Sequence, residues 1–207
     1  MPGGLTETEK FFTEKILPED VEAVPVDADR IYHLKHILLP DYIINRYPDG
    51  LPIDYLDFFR SSVLPDRPRR KEKLVYISRK LSGRNSKRCV LNEDDLLLKL
   101  ESYGFQRYHL EDMSVQEQIN LFYDASFVVS PHGAGLTNII FSDGLNVLEL
   151  FPLKCSRPHY EYLSKTLNHN YIPWFPESGV DRDSNFCVDV EHISRLVESI
   201  LMKSSRK

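Results

Sequence analysis

Cysteine is scarce in this chain: three in 207 residues, at Cys89, Cys155 and Cys187, with no Cys-x-x-Cys and no Cys/His spacing. That pattern offers neither a zinc module nor a disulfide-stapled scaffold. No stretch is long and apolar enough to span a membrane. Residues 1–20 are polar and lack a signal-peptide pattern, and no Asn-x-Ser/Thr acceptor is present. These absences fit a reduced, cytosolic setting, with any membrane association through partners; a chain trimmed of its anchor has the same pattern. Basic charge is in the minority. Lys and Arg number 26 against 31 Asp and Glu, a formal net charge of −5, which argues against broad nucleic-acid binding. The one basic run, Arg67 to Lys73, contains Pro68 and reads as a solvated linker. The sequence has no G-x-x-x-x-G-K-[ST], which excludes a P-loop, and no G-x-S-x-G, which leaves a serine hydrolase unsupported. It has no internal repeat and no low-complexity tract.

What is present is an alternation of short apolar runs and amphipathic stretches. Before residue 66 the pattern is irregular: a helix over 7–16, short strands at 21–26 and 31–39, a proline-rich loop over 40–56 and a helix over 55–63. From residue 74 it becomes regular. Strands at 74–78, 105–110, 126–130, 146–150 and 170–174 alternate with helices at 93–103, 115–125, 135–142, 158–167 and 190–202. Asn92 and Asp189 read as helix caps, and Ser114 with Glu117 as a capping box. Gly104 reads as a helix stop. Strands and helices at this spacing predict an α/β fold with a parallel, Rossmann-like sheet flanked by helices. The domain reading is a partial N-terminal extension over 1–66, a linker over 67–73 and the sheet domain over 74–207.

The stretch 128–142, VVSPHGAGLTNIIFS, carries the most chemistry. A β-branched strand breaks at Ser130-Pro131. His132, Gly133, Ala134 and Gly135 form a small-residue turn, and an apolar helical pattern resumes. A turn of this kind presents backbone N–H groups and a helix N-terminus to an anion. Glycine lets a ligand approach the main chain and relieves strain where φ is positive. The bland alternative is a tight strand-to-helix connection. Strand 74–78 ends in Ser78-Arg79, and strand 146–150 carries Glu149. Ligands of open parallel sheets bind beyond the carboxyl ends of the strands. On one rim, Arg79 and the turn suit a diphosphate and Glu149 suits ribose hydroxyls; otherwise Arg79 is a surface arginine and Glu149 a salt-bridged carboxylate. Asp27 and Asp29 form an Asp-x-Asp that can share a divalent cation, although so short a motif is common by chance. Asp181 and Asp183 form a weaker one. Tyr171 to Phe175 holds the single tryptophan and reads as core.

Taken in order, Tyr76 to Arg79, Arg88 to Glu93, Gly104-Phe105, Gln118 to Phe122, Ala125, Pro131 to Asn138, Phe141, Glu149-Leu150 and Pro152 resemble glycosyltransferase family 61, over about residues 20–203. The resemblance implies an inverting transferase of two-domain GT-B type, of which this chain is the C-terminal, donor-binding part with a remnant of the acceptor side. It implies a nucleotide-sugar donor, expected to be a UDP-sugar, held by Ser78, Arg79, His132, Gly133, Ala134, Gly135, Asn138 and Glu149, with no metal or other cofactor. The acceptor is a glycan or glycoprotein, and a separate N-terminal domain or subunit is a possible partner. For part of a eukaryotic member, the Golgi or ER lumen is the implied setting. The catalytic base is not placed by motif: His132 and Asp41 are the candidates, and the base can lie outside the chain. The competing interpretations are a non-catalytic nucleotide-sugar-binding or partner-docking module, and a metal-dependent enzyme using Asp27 and Asp29.

Overall fold

A computed structural model describes residues 5–24, 26–27, 29–38, 51–79, 87–152, 158–177 and 183–204. Five strands form one all-parallel sheet: β1 (Lys73–Ile77), β2 (Gln106–Tyr108), β3 (Ala125–Pro131), β4 (Asn146–Leu150) and β5 (Asn170–Trp174), in the order β2-β1-β3-β4-β5. The parallel α/β architecture expected from the alternation is therefore the observed one. Among the described residues, six α-helices accompany the sheet: α1 (Glu7–Ile16), α2 (Ile53–Ser61), α3 (Glu93–Ser102), α4 (Val115–Tyr123), α5 (His159–Thr166) and α6 (Val190–Ser204). Among the described residues, none is long and apolar enough to cross a membrane.

Both faces of the sheet are covered, as parallel sheets require. Tyr76, Phe127, Val129, Leu148 and Leu150 pack with Leu96 and Leu100 of α3 and Ile193 and Val197 of α6. On the other face, Val75, Ile77, Val128 and Val147 pack with Ile119 and Phe122 of α4 and with Leu136, Ile139 and Leu163. Leu56 of α2 joins that second cluster, and Phe12 of α1 lies against Phe59 with ring centroids 5.2 Å apart.

Local chemistry explains several boundaries. Ser114 and Glu117 cap α4 reciprocally, and the Asp189 carboxylate accepts the His192 N–H at 2.8 Å. Gly104 has φ +93, and the N–H groups of Gly104 and Phe105 return to the carbonyls of Glu101 and Leu100. This is the doubled C-terminal closure that a left-handed glycine permits. Asn92 departs from its expected role. Its amide exchanges two 2.9 Å hydrogen bonds with the Val188 backbone and leaves α3 without a side-chain cap.

Other expectations also change. The described residues of 21–26 and 31–39 form no strand. A strand needs a partner for its N–H and C=O groups, and no edge of the sheet is paired to this segment. Tyr32 instead accepts the Asp27 N–H at 2.8 Å in a local turn. The element expected as a helix over 135–142 is a 3-10 helix, Ala134–Phe141.

Pro68 and residues 70–72 of the basic run are exposed, but two of its arginines are anchored. Arg67 forks onto Asp124 at 2.9 and 2.8 Å. Arg69 reaches the carbonyls of Tyr123, Ala125 and Asp143. These arginines fasten the segment before β1 to the entry of β3.

His169 pins the far end of the 3-10 helix. Its Nδ1 accepts the Leu145 N–H, and its Nε2–H donates to the Ile139 carbonyl, both at 3.1 Å. Burial is the main reason its pKa falls to about 4, against a partial upward pull from the Ile139 carbonyl. The folded state thus binds fewer protons than the unfolded state between pH 6.5 and 4. This stabilising contribution is present above pH 6.5 and is lost as pH falls. Between pH 7 and pH 5 this site should lower folding stability by about 2 kcal/mol. Denaturant titrations of wild type and His169→Asn should converge as pH falls, and parallel curves would remove His169 as the cause.

Candidate functional site

In a 2-1-3-4-5 sheet the crevice for ligands opens between the C-terminal ends of β1 and β3, where the strand order reverses. Tyr76 pairs with Val129 across these strands, so Ser78-Arg79 and Pro131-His132-Gly133 leave the sheet side by side. The Arg79 guanidinium lies directly over Gly133. A Cβ built on Gly133 would stand 2.0 Å from Arg79 Nη1 and 2.9 Å from Cζ. Gly133 has φ 171, which is extended backbone open to any residue. The glycine is required for space and not, as positive φ would have implied, for backbone conformation.

Arg79 is half-buried, and its Nε–H donates to the Lys87 carbonyl at 3.2 Å. Its pKa is lowered first by burial and next by the like charge of Arg88. It stays a cation, because guanidinium starts too high to deprotonate in a protein. Arg88 sits in the left-handed region at φ 62. The zipper that holds it there joins 87–92 to 183–188. Arg88 N–H donates to the Asp183 carbonyl at 3.1 Å, Cys89 N–H to Asn185 Oδ1 at 2.9 Å, and Val90 bridges Phe186. The Arg88 charge is felt by both Arg79 and Tyr160.

His132, the residue before Gly133, is buried. Its Nδ1 is 2.5 Å from Glu149 Oε1, and the Tyr171 hydroxyl donates to Glu149 Oε2 at 2.6 Å. Glu149 is fully buried and His132 is 4 % exposed. Register explains the assembly. Ser130, Glu149 and Pro173 are aligned across β3, β4 and β5, and Tyr171 lies two residues before Pro173 on the same face. The imidazole stacks on Phe151 at 5.0 Å, with Tyr160 of α5 at 5.8 Å on its flank. Burial raises the Tyr171 phenol well above its ordinary pKa, with Glu149 adding to the effect, so it remains a donor. Burial likewise raises Tyr160, which hydrogen-bonds Thr137 and senses Glu149, Arg88 and Arg79.

The other expected residues divide. Ser78 does not face the crevice. Strand alternation turns it inward with Tyr76, and both hydroxyls donate to the buried Glu93 carboxylate at 2.9 Å. Glu149, expected on the rim for a ribose, is instead fully buried, one oxygen against His132 and the other against Tyr171. Gly135 makes room within the fold: a Cβ there would stand 2.9 Å from Leu110 Cδ1. Asn138 holds its own turn, donating to the Gly135 carbonyl at 3.1 Å and to Gln118 at 3.0 Å. Ala134 is exposed at the start of the 3-10 helix, whose leading N–H groups lack intrahelical partners. Asp27 takes the Asp29 N–H at 3.0 Å and pairs with Arg30 at 3.3 Å in an exposed turn. Asp41 and Asp181 lie outside the described residues. Arg88, Tyr160 and Tyr171 were not anticipated. Only Tyr171 left a usable trace, since parallel register with Glu149 places it one step away on the same face.

Fold and crevice together define a parallel α/β domain whose strand-order switch point carries a guanidinium over a glycine, a site suited to an anionic ligand. The sequence profile of Glycosyltransferase 61 matches residues 8–147, and the chain belongs to that family. It is 29% identical over 150 residues to the EGF domain-specific O-linked N-acetylglucosamine transferase of Drosophila melanogaster, covering 63% of this chain and 28% of that protein. It is 39% identical over 83 residues to Protein O-linked-mannose beta-1,4-N-acetylglucosaminyltransferase 2 of Canis lupus familiaris, covering 38% of this chain and 14% of that one. Against Beta-1,2-xylosyltransferase of Arabidopsis thaliana identity is 35% over 57 residues, covering 27% and 11%. The chain therefore spans less than a third of the length of these curated relatives.

Proposed function

We propose that this chain is the donor-binding part of a GT-B-type inverting glycosyltransferase, holding a UDP-sugar by its diphosphate at the crevice between β1 and β3. The observation that carries this is the Arg79 guanidinium seated on Gly133. An acceptor hydroxyl of a glycan or protein attacks the anomeric carbon, the bond to the diphosphate breaks, and the leaving oxygens take up negative charge. The Arg79 guanidinium and the start of the 3-10 helix stabilise that charge without a metal. His132, next to Gly133 in the chain, belongs to the leaving-group side. The base that activates the acceptor belongs to the opposite side of the cleft, and a further domain or subunit is the proposed source.

Calorimetry tests this on the chain as it is. Uridine diphosphate should bind, and excess EDTA should leave the affinity unchanged. Binding that disappears with EDTA and returns with manganese would overturn metal independence. No binding of uridine, guanosine or cytidine diphosphate would overturn the donor-site assignment. The short span relative to the family's curated members favours one competing interpretation, a non-catalytic binding module. Hydrolysis of UDP-sugars by the chain would exclude that alternative.

A further inference from the structure

A carboxylate with no exposed surface stands at the start of α3, and the strand that leads to Arg79 is tied to it. Glu93 is fully buried. Burying a carboxylate is costly unless strong donors surround it. Two donors come from the end of β1. The Tyr76 hydroxyl bonds Oε1 at 2.9 Å, and the Ser78 hydroxyl shares its proton between Oε1 at 2.9 Å and Oε2 at 3.0 Å. Burial first, and Glu93 next, hold the Tyr76 phenol well above its ordinary pKa, so it stays a donor. The Ser78 N–H is bonded as well, to the Tyr108 carbonyl at 3.0 Å. Ser78 is thus fixed at both backbone and side chain, and Arg79 is the next residue.

The segment that leads into Glu93 also grips Arg79 directly. The Lys87 carbonyl accepts the Arg79 Nε–H at 3.2 Å, and the Cys89 Sγ–H donates to the Arg79 carbonyl at 3.0 Å. That segment is itself anchored across the fold. Cys89 N–H reaches Asn185 Oδ1, Leu91 N–H reaches the Phe186 carbonyl at 2.8 Å, and Asn92 pairs with the Val188 backbone. Resting on the donor-site assignment above, we propose that Glu93 is a positioning residue of that site: through Ser78 it locks the end of β1 to residues 87–93, and so keeps the Arg79 guanidinium on its seat over Gly133. An arginine side chain has much rotamer freedom to lose, and a seat fixed before the nucleotide arrives lowers the cost of binding. Glu93 acts through Arg79 and not on the nucleotide itself. Ser78 faces inward, yet it serves the site by the same route.

Two readouts test this, and the first needs no ligand. The Arg79 Nε–H proton resonance, identified by its loss in Arg79→Ala, should be sharp in wild type. In Glu93→Gln it should shift or broaden as the bond to Lys87 loosens. The second readout is calorimetry with uridine diphosphate. Glu93→Gln keeps the side-chain volume but replaces one acceptor oxygen by an amide. It should bind about tenfold more weakly than wild type, and Ser78→Ala about threefold, the scale of coupling within one hydrogen-bond network. In the Arg79→Ala background, Glu93→Gln should change affinity by less than about twofold. A role in stability alone would give no such coupling, and a loss of equal size in both backgrounds overturns the assignment. Where Arg79→Ala binds too weakly to read, the resonance decides. Asp124→Ala, which breaks the Arg67 fork at the entry of β3, should keep wild-type affinity. An equal loss in that variant would report general instability and also overturn the assignment. Wild-type affinity in a folded Glu93→Gln, or an unchanged Arg79 resonance, overturns it and leaves the donor site standing. Should Glu93→Gln fail to fold, Ser78→Ala decides by the same two readouts. Absence of any binding heat in wild type overturns the donor site and this role for Glu93 with it.

Discussion

Gly133→Ala should cost nearly as much nucleotide affinity as Arg79→Ala while leaving the fold intact. An alanine methyl would stand 2.0 Å from Arg79 Nη1, far inside contact distance. The side chain can move, because the guanidinium is the free end of a flexible arm. The backbone has no reason to move, because φ 171 suits alanine as well as glycine. Arg79 therefore leaves its seat. Loss of a charge-assisted hydrogen bond to phosphate weakens binding by about 1.5–3 kcal/mol, or roughly 10- to 150-fold. The double variant Gly133→Ala/Arg79→Ala should bind no worse than Arg79→Ala alone, since both changes remove one interaction. Thermal unfolding of Gly133→Ala should stay within about 0.5 kcal/mol of wild type. Equal affinity of Arg79→Ala and wild type for uridine diphosphate, both folded, would remove Arg79 from the site. Additive losses in the double variant would mean that Gly133 serves the ligand by another route.

The largest stability loss should come from Asp124→Ala, far from the crevice. Its carboxylate, on a residue only 5 % exposed, accepts both guanidinium nitrogens of Arg67 and the Arg70 N–H at 3.0 Å. Deleting it strands a backbone donor and a clamped arginine beside the entry of β3. The bonds to Arg67 are only part-buried, so the cost is that of losing charge-assisted hydrogen bonds, about 3 kcal/mol at most. The melting temperature should drop by roughly 10 °C. Asp124→Asn keeps one acceptor and should lose less. Arg67's forked hydrogen bond is the main cause that holds the Asp124 pKa below the usual range. The stabilisation is therefore present above the ordinary carboxylate range and lost as pH falls through it. An Asp124→Ala variant that melts with wild type would show that the segment before β1 is not clamped by this contact.

Local chemistry was legible wherever it acts within a few residues. The capping box at Ser114 and Glu117, the closure at Gly104 and the helix start at Asp189 depend on neighbours in the chain. They formed as the sequence implies. The β-branched runs at 74–78, 126–130 and 146–150, alternating with helices, were enough for a parallel sheet. Asn92 shows the limit: as a helix cap it was a sound local inference, but the Val188 backbone, 96 residues away, offered its amide two hydrogen bonds and drew it off.

The sequence by itself determined the fold class, the family pattern and the identity of the strand-end turn. Only the tertiary structure decided which of those residues face a ligand. Strand alternation turned Ser78 inward to Glu93. Parallel register buried Glu149 against His132 and Tyr171. The packing of Arg79 explained Gly133 by space and not by φ. The backbone at Arg88 is set by a hydrogen bond to Asp183, 95 residues away. Each of these depends on which atoms meet across the fold, and the order of residues along the chain does not encode such contacts in any local pattern.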